Sequence, residues 1–103
     1  MKESVRNWLA QQVGMEDEEL LQSLYDDYRG TVSEQLEQAG RDLDAGDFEA
    51  LDRTAHALKG ATMTVGDQEM LREVLAMRDA AKASDGAAAL AAAERIALLL
   101  AEL

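Results

Sequence analysis

The sequence predicts an all-α protein: an antiparallel up-down four-helix bundle with a short additional N-terminal helix. The 103-residue chain contains no Pro, and its 19 Ala and 15 Leu favour helix over strand. Apolar residues recur at alternating steps of three and four, the spacing of helices that bury one face. The length suits one small domain, so we take residues 1–103 as a single helical bundle domain.

The first predicted helix covers residues 4–13 and ends at Gly14, because glycine is common just past the end of a helix. Its apolar residues are Val5, Trp8, Leu9 and Val13. We expect this short helix to pack on the main bundle as a lid or brace.

The second predicted helix is the longest. It opens in the acidic run from Glu16 to Glu19, which suits the positive end of a helix dipole, and it stops at Gly46. Gly30 and Gly40 lie inside it, and each weakens it by up to ~1 kcal/mol relative to Ala, a cost that burial can outweigh. Its expected core stripe is Leu20, Leu24, Tyr28, Val32, Leu36, Ala39 and Leu43.

Three further helices are separated by short turns, so consecutive helices should run antiparallel. The third covers residues 48–65 after a cap at Asp47, the pair Gly66-Asp67 starts the fourth, and the turn at 84–86 starts the fifth. The expected core residues are Leu51, Ala55, Leu58, Thr62 and Val65 in the third helix, Met70, Val74, Met77 and Ala81 in the fourth, and Leu90, Ala93, Ala97, Leu100 and Leu103 in the fifth.

The only histidine, His56, is predicted to face away from the core. At ~100° per residue it lies about 140° from the mean direction of the third helix's stripe. The residues within about 40° of it are Asp52, Gly60 and Met63, with Lys59 and Arg53 about 60° to either side. A glycine in mid-helix costs stability, but here it removes the side chain that would crowd the imidazole. The pattern favours a reactive histidine, although an ordinary exposed or half-buried histidine remains open.

Composition and motifs exclude several kinds of function. The chain has no Cys and one His, too few ligands for an ordinary metal site, and it lacks a nucleophile elbow. Neither G-x-x-x-x-G-K nor G-x-G-x-x-G occurs, so we expect no ATP site, no kinase activity and no cofactor of its own. If His56 carries a phosphoryl group, that group would have to come from another protein, because this chain has no motif for binding a nucleotide.

Charge and hydropathy narrow the choice of partners. The net charge of -11 disfavours nucleic acid, and no stretch has the apolar length of a membrane span, so we expect a soluble cytoplasmic protein. Residues 15–52 hold 13 Asp or Glu against two Arg, whereas residues 53–82 hold five basic residues against four acidic ones. The histidine segment is therefore close to neutral beside an acidic second helix.

The stretch R53-T-A-H-A-L-K-G-A61 resembles the core motif of histidine-containing phosphotransfer (HPt) domains. The turn D44-A-G-D-F-E-A-L51 and the break at Val65-Gly66 are also similar to that family, so the resemblance covers nearly the whole chain. It implies a monomeric four-helix bundle without intrinsic kinase activity. Such a module relays phosphate between the receiver domains of a hybrid sensor kinase and of a response regulator.

The resemblance also implies roles for individual residues. His56 would be the phosphorylated nucleophile, Lys59 the charge that steadies the phosphoryl group, and Gly60 the gap that admits the receiver, whose Mg²⁺ would assist. Two positions depart from the family pattern: Met63 stands where small residues are common, and Arg78 stands where a phosphoryl-contacting Gln is frequent. Together with Arg53, they are our candidates for partner binding.

Two other interpretations remain. The first is a helical docking or adaptor module that binds a signalling partner through the Met63 face with no phosphate on His56. The second is a subunit of a larger assembly, formed through the Ala-rich last helix.

Overall fold

The computed structural model describes residues 2–14 and 17–103, and the side chain of Val13 lies outside the description. These residues form five helices and no strand. The helices are α1 (Glu3–Val13), α2 (Glu18–Asp44), α3 (Phe48–Val65), α4 (Gln68–Lys82) and α5 (Gly86–Glu102). The all-α prediction is confirmed, and α3 has the predicted bounds.

Helices α2 to α5 form an antiparallel bundle in which each helix packs against its two neighbours. Helix α3 contacts α2 and α4, and α5 contacts α4 and closes the ring on α2. Ion pairs such as Asp52–Arg78 and Glu73–Arg95 join residues at similar distances on either side of the connecting turns, as antiparallel packing requires. None of the described helices is long and apolar enough to cross a membrane. The short helix α1 packs against α2 and α3, as expected of a lid or brace.

Aspartates cap the N-termini of α2, α3, α4 and α5. Asp47 and Asp67 accept hydrogen bonds from the backbone N–H groups of Ala50 and Met70, as their positions in the sequence predict. The start predicted for α2 is wrong: the helix begins at Glu18 because the Asp17 carboxylate accepts the N–H groups of Glu19 and Leu20. The remaining residue of the predicted start, Glu16, lies outside the described residues.

The predicted core faces of α3 and α4 are confirmed, since all nine of their expected core residues are buried. In α2 the prediction is partly wrong: Leu20 is exposed, and the buried positions are instead Leu21 and Tyr25. The predicted stripe rose in steps of four, and each such step turns about 40° around an α-helix, so its first member points away from the core. Steps of four and three from Leu21 keep the side chains on the buried face.

The predicted core face of α5 is also partly wrong. Leu90 and Ala97 are exposed, whereas Ala89, Ala92 and Ile96 are buried. Apolar residues occur on every side of this helix, so the sequence pattern does not define one buried face. The larger Leu side chains were expected in the core, but two of the three buried residues are Ala. Ala on the buried face lets α5 approach its neighbours closely. Leu90 follows the buried Ala89 by one position, so it lies on another side of the helix and is 51% exposed.

A buried polar cluster joins α1, α2 and the turn between α3 and α4. The Asp67 carboxylate accepts hydrogen bonds from the Tyr28 hydroxyl at 2.8 Å and from Lys2 Nζ at 2.8 Å. Burial raises the pKa of the Tyr28 hydroxyl, and the hydrogen bond to Asp67 raises that pKa further. Burial opposes the charge of Lys2, but Asp67 and Glu69 outweigh it and raise the pKa of the Lys2 ammonium. This cluster fixes the end of α3 that leads into α4.

Candidate functional site

His56 is exposed near the middle of α3. The opposite face of α3 is anchored by Leu51, Ala55 and Leu58, each 0% exposed, so the helix cannot rotate to bury the imidazole without exposing its core. Within the described residues, no hydrogen bond or ion pair engages the His56 side chain. Both ring nitrogens are therefore available to an approaching group.

Gly60 keeps the surface beside the imidazole open. It lies one turn beyond His56, and a Cβ built on it meets no atom within 4 Å. Its backbone is helical and not left-handed, so backbone conformation does not require a glycine at this position. Nor does packing, since the missing side chain would project into solvent. The glycine leaves the helix surface next to His56 free of a protruding side chain.

Met63 supplies an apolar group at the edge of this surface. It follows Gly60 by three residues, and 54% of it is exposed. Thr64 is exposed beside it, and its hydroxyl donates a hydrogen bond to the Gly60 carbonyl at 2.9 Å. A small groove of about 220 Å³ lies between α1, α2 and α3, and Ala61, Thr64 and Val65 line its α3 side. The surface therefore combines an open helix face with a shallow apolar edge.

Two cations on α3, Lys59 and Arg53, lie within one turn of His56. Lys59 is half-buried and Arg53 is exposed, and among the described residues neither makes an ion pair or a side-chain hydrogen bond. An unpaired cation one turn from the imidazole is suited to hold an anion there. Helix α2, in contrast, carries eight acidic residues against Arg29 and Arg41.

Arg78 approaches the same surface from α4 but is already engaged. Its Nε donates a hydrogen bond to Asp52 Oδ1 at 3.3 Å, and the two side chains form an ion pair between α4 and α3. Asp52 lies one turn before His56, on the same side of α3. The anchoring carboxylate was not predicted, because pairing between helices depends on packing that the spacing of one helix does not contain.

The structure thus brings the sequence-predicted site residues together on one side of the bundle. His56, Lys59, Gly60, Arg53 and Met63 share the outward part of α3, and Arg78 reaches this part through Asp52. Among the described residues, no group of three or more His, Cys, Asp or Glu is placed to hold a metal ion. The surface is open and cationic near the imidazole, and it presents the exposed His56 side chain as a nucleophile.

The described residues thus form a four-helix bundle, braced by a short helix, with an exposed histidine on the outward face of α3. The chain belongs to the Hpt domain family, whose model matches residues 23–103. Membership makes it a phosphocarrier module with a histidine phosphotransfer role in phosphorelay, and Hpt domains interact with receiver domains. The match includes α3, α4 and α5 and leaves out α1. No curated protein and no solved structure matches the chain significantly.

Proposed function

We propose that this protein is a phosphorelay intermediate that carries the phosphoryl group on His56. It accepts the group from the aspartyl phosphate of one receiver domain and passes it to the aspartate of another. The receivers of a hybrid sensor kinase and of a response regulator are the proposed partners. The observation that carries the proposal is the position of the only histidine, exposed on α3 with no side-chain partner among the described residues.

The chemistry asks little of the protein beyond positioning. A lone pair on one ring nitrogen of neutral His56 attacks phosphorus, and a P–N bond forms as the P–O bond to the receiver aspartate breaks. The carboxylate leaves with the electron pair, so no proton has to be added or removed. Return to a second receiver reverses the same steps. An exposed nucleophile suffices because the receiver brings the phosphoryl group already aligned.

Lys59 and Gly60 have separate roles in this proposal. The unpaired Lys59 ammonium offsets the negative charge that arrives on His56. Gly60 leaves the space through which the receiver approaches, which accounts for a mid-helix glycine without a packing contact. A Mg²⁺ held by the receiver would neutralise the remaining phosphoryl charge, and this chain would then need no cofactor of its own.

The test is to incubate the purified chain with a panel of phosphorylated receiver domains. We expect at least one receiver to label the wild-type chain, with an acid-labile and base-stable product, as a phosphoramidate is. His56→Gln should remove all label and keep the fold, because this side chain contributes no core packing. Label that persists in His56→Gln would rule out this residue as the carrier. Binding of receivers without any label on the wild-type chain would favour the adaptor interpretation.

A further inference from the structure

The ion pair between Asp52 and Arg78 lies at the edge of the proposed phosphorylation site. Residues four apart on a helix face the same side with Cβ atoms about 5–6 Å apart, so the Asp52 carboxylate is a close neighbour of His56. Arg78 Nε is 3.3 Å from that carboxylate. The Arg78 guanidinium of α4 is therefore held at the same side of α3 as the imidazole, beside a carboxylate one turn away from it.

Arg78 has unused hydrogen-bonding capacity at this position. Its Nε donates to Asp52, and the rest of the guanidinium makes no other hydrogen bond among the described residues. The side chains of Arg78 and Asp52 are 23% and 35% exposed, so a small rotation can redirect the guanidinium without opening the core. Arg78 is available to a second anion that arrives nearby.

A phosphoryl group on His56 would be a stronger ligand for Arg78 than the carboxylate is. It offers three oxygens and close to two negative charges, and a guanidinium binds phosphate with two parallel N–H donors. It would also repel Asp52, one turn away on the same side. Both effects favour transfer of Arg78 from the carboxylate to the phosphoryl group.

We infer that Asp52 competes with the phosphoryl group for Arg78. In the unmodified protein Asp52 holds the guanidinium, and after modification of His56 Arg78 moves to the phosphoryl oxygens while Asp52 is left without its partner. Asp52 is then a positioning residue that lowers the affinity of this site for the phosphoryl group. The inference rests on the proposed phosphorylation of His56 and adds a residue that tunes how readily the group is passed on.

The experiment uses protein phosphorylated without any partner. Phosphoramidate transfers its phosphoryl group to a histidine ring nitrogen, and its own P–N bond breaks as ammonia leaves. The variants are Asp52→Asn, Arg78→Gln and the double variant. Arg95→Gln is the matched control, because Arg95 also pairs with a carboxylate on a neighbouring helix, Glu73, on another side of α4.

Two measurements follow the exchange. The first is the Arg78 Nε–H resonance, which should move when His56 is phosphorylated. The second is a ³¹P titration of the phosphoryl group. Arg78→Gln should raise the proton affinity of that group by about two- to fivefold, the size expected for one partly exposed charge pair. Asp52→Asn should lower the same affinity, and Arg95→Gln should leave it unchanged.

The double variant separates exchange from simple repulsion. If Arg78 leaves Asp52, the Asp52→Asn effect is larger with Arg78 present than with Gln at position 78, because the lost ion pair adds to the repulsion. Equal effects in both backgrounds, an Arg78 resonance that does not move, or an Arg78→Gln titration like that of Arg95→Gln would overturn the inference. So would failure of phosphoramidate to modify His56.

The relay proposal and the ion-pair inference fail in different ways. If no receiver labels the chain but phosphoramidate does, and Arg78 responds, the relay proposal fails and the exchange stands. If receivers label His56 while Arg78 does not respond, the relay proposal stands and the exchange is rejected.

Discussion

The His56 surface and the Asp67 cluster both contain polar side chains at α3 or its end, but they differ in whether those side chains have hydrogen-bond partners. At Asp67, 1% exposed, the carboxylate is matched by Tyr28, Lys2 and a backbone N–H group. At His56, the imidazole and Lys59 have no partner within the part of the chain that the structure describes. Satisfied polar groups hold the bundle together, whereas unsatisfied ones are available to another molecule. The two regions should therefore respond differently to substitution.

The largest expected effect on stability is at Asp67. Asp67→Ala removes the cap of α4 and leaves the buried Tyr28 hydroxyl without its acceptor, which should lower the free energy of unfolding by about 3 kcal/mol. Chemical denaturation measures this loss. Asp85→Ala is the control, because Asp85 caps α5 in an exposed position and should cost only about 1 kcal/mol. Equal losses in the two variants would show that the cluster adds nothing to the cap.

The reverse result is expected at Gly60. Gly60→Gln should raise the free energy of unfolding by about 0.5 kcal/mol, because it removes a helical glycine and its Cβ meets no atom within 4 Å. Transfer from a phosphorylated receiver should fall by about tenfold or more, since small displacements of the reacting groups are costly. Gly30→Gln, an equally open position in α2, should gain stability and keep transfer. Unimpaired transfer in Gly60→Gln would remove the access role.

A smaller effect is expected at Met63. Met63→Glu should weaken receiver binding by about 1 kcal/mol, because an apolar side chain beside the reactive group can carry much of the affinity of a small interface. Titration with a receiver measures the affinity, and thermal unfolding should change little because the residue is 54% exposed. Leu98→Glu changes a more exposed residue on α5 and should leave binding intact. Equal binding by wild-type and Met63→Glu proteins would place recognition elsewhere on the bundle.

The last effect is a pH dependence confined to the Asp67 cluster. The pKa of Tyr28 is raised in the folded chain, so its stabilising contribution is complete below the ordinary value of 10.0 and declines as the pH rises above it. Tyr28→Phe should therefore make the loss of stability between pH 9 and 11 shallower, by up to about 1.4 kcal/mol per pH unit. Denaturation series at several pH values measure the slope. An unchanged slope would show that Tyr28 does not titrate differently in the folded and unfolded chains.

The sequence was sufficient for the parts of this design that depend on a single helix. The cap at Asp47 and the stop at Gly66 predicted the bounds of α3. Helical periodicity predicted its buried face and the exposure of His56 and Met63, because these follow from the rotation per residue. It was insufficient for α5, where Ala and Leu surround the helix and only packing decides that Ile96 is buried and Leu98 exposed.

Contacts between helices lay beyond prediction for the same physical reason. Asp67 was predicted as a cap, and its local role is confirmed, but its hydrogen bond from Tyr28 joins residues 39 positions apart. Arg78 was noted for its place in the sequence, whereas its pairing with Asp52 exists only because α3 and α4 pack antiparallel. Residue spacing along one helix carries no information on which side chains an adjoining helix brings close.

The Tyr25 hydroxyl has a geometric consequence for attachment. It accepts a hydrogen bond from the Lys2 backbone N–H at 3.1 Å and donates one to the Leu103 carbonyl at 2.7 Å, so these two points of the backbone lie within about 6 Å of each other. Both points lie at the end of the bundle that holds the α3–α4 turn. At a rise of 1.5 Å per residue, this end is about 15 Å from His56 along the axis of α3. A tether attached near either point would leave the bundle from the same place, so a fluorophore or an affinity support fixed there would leave the imidazole face accessible.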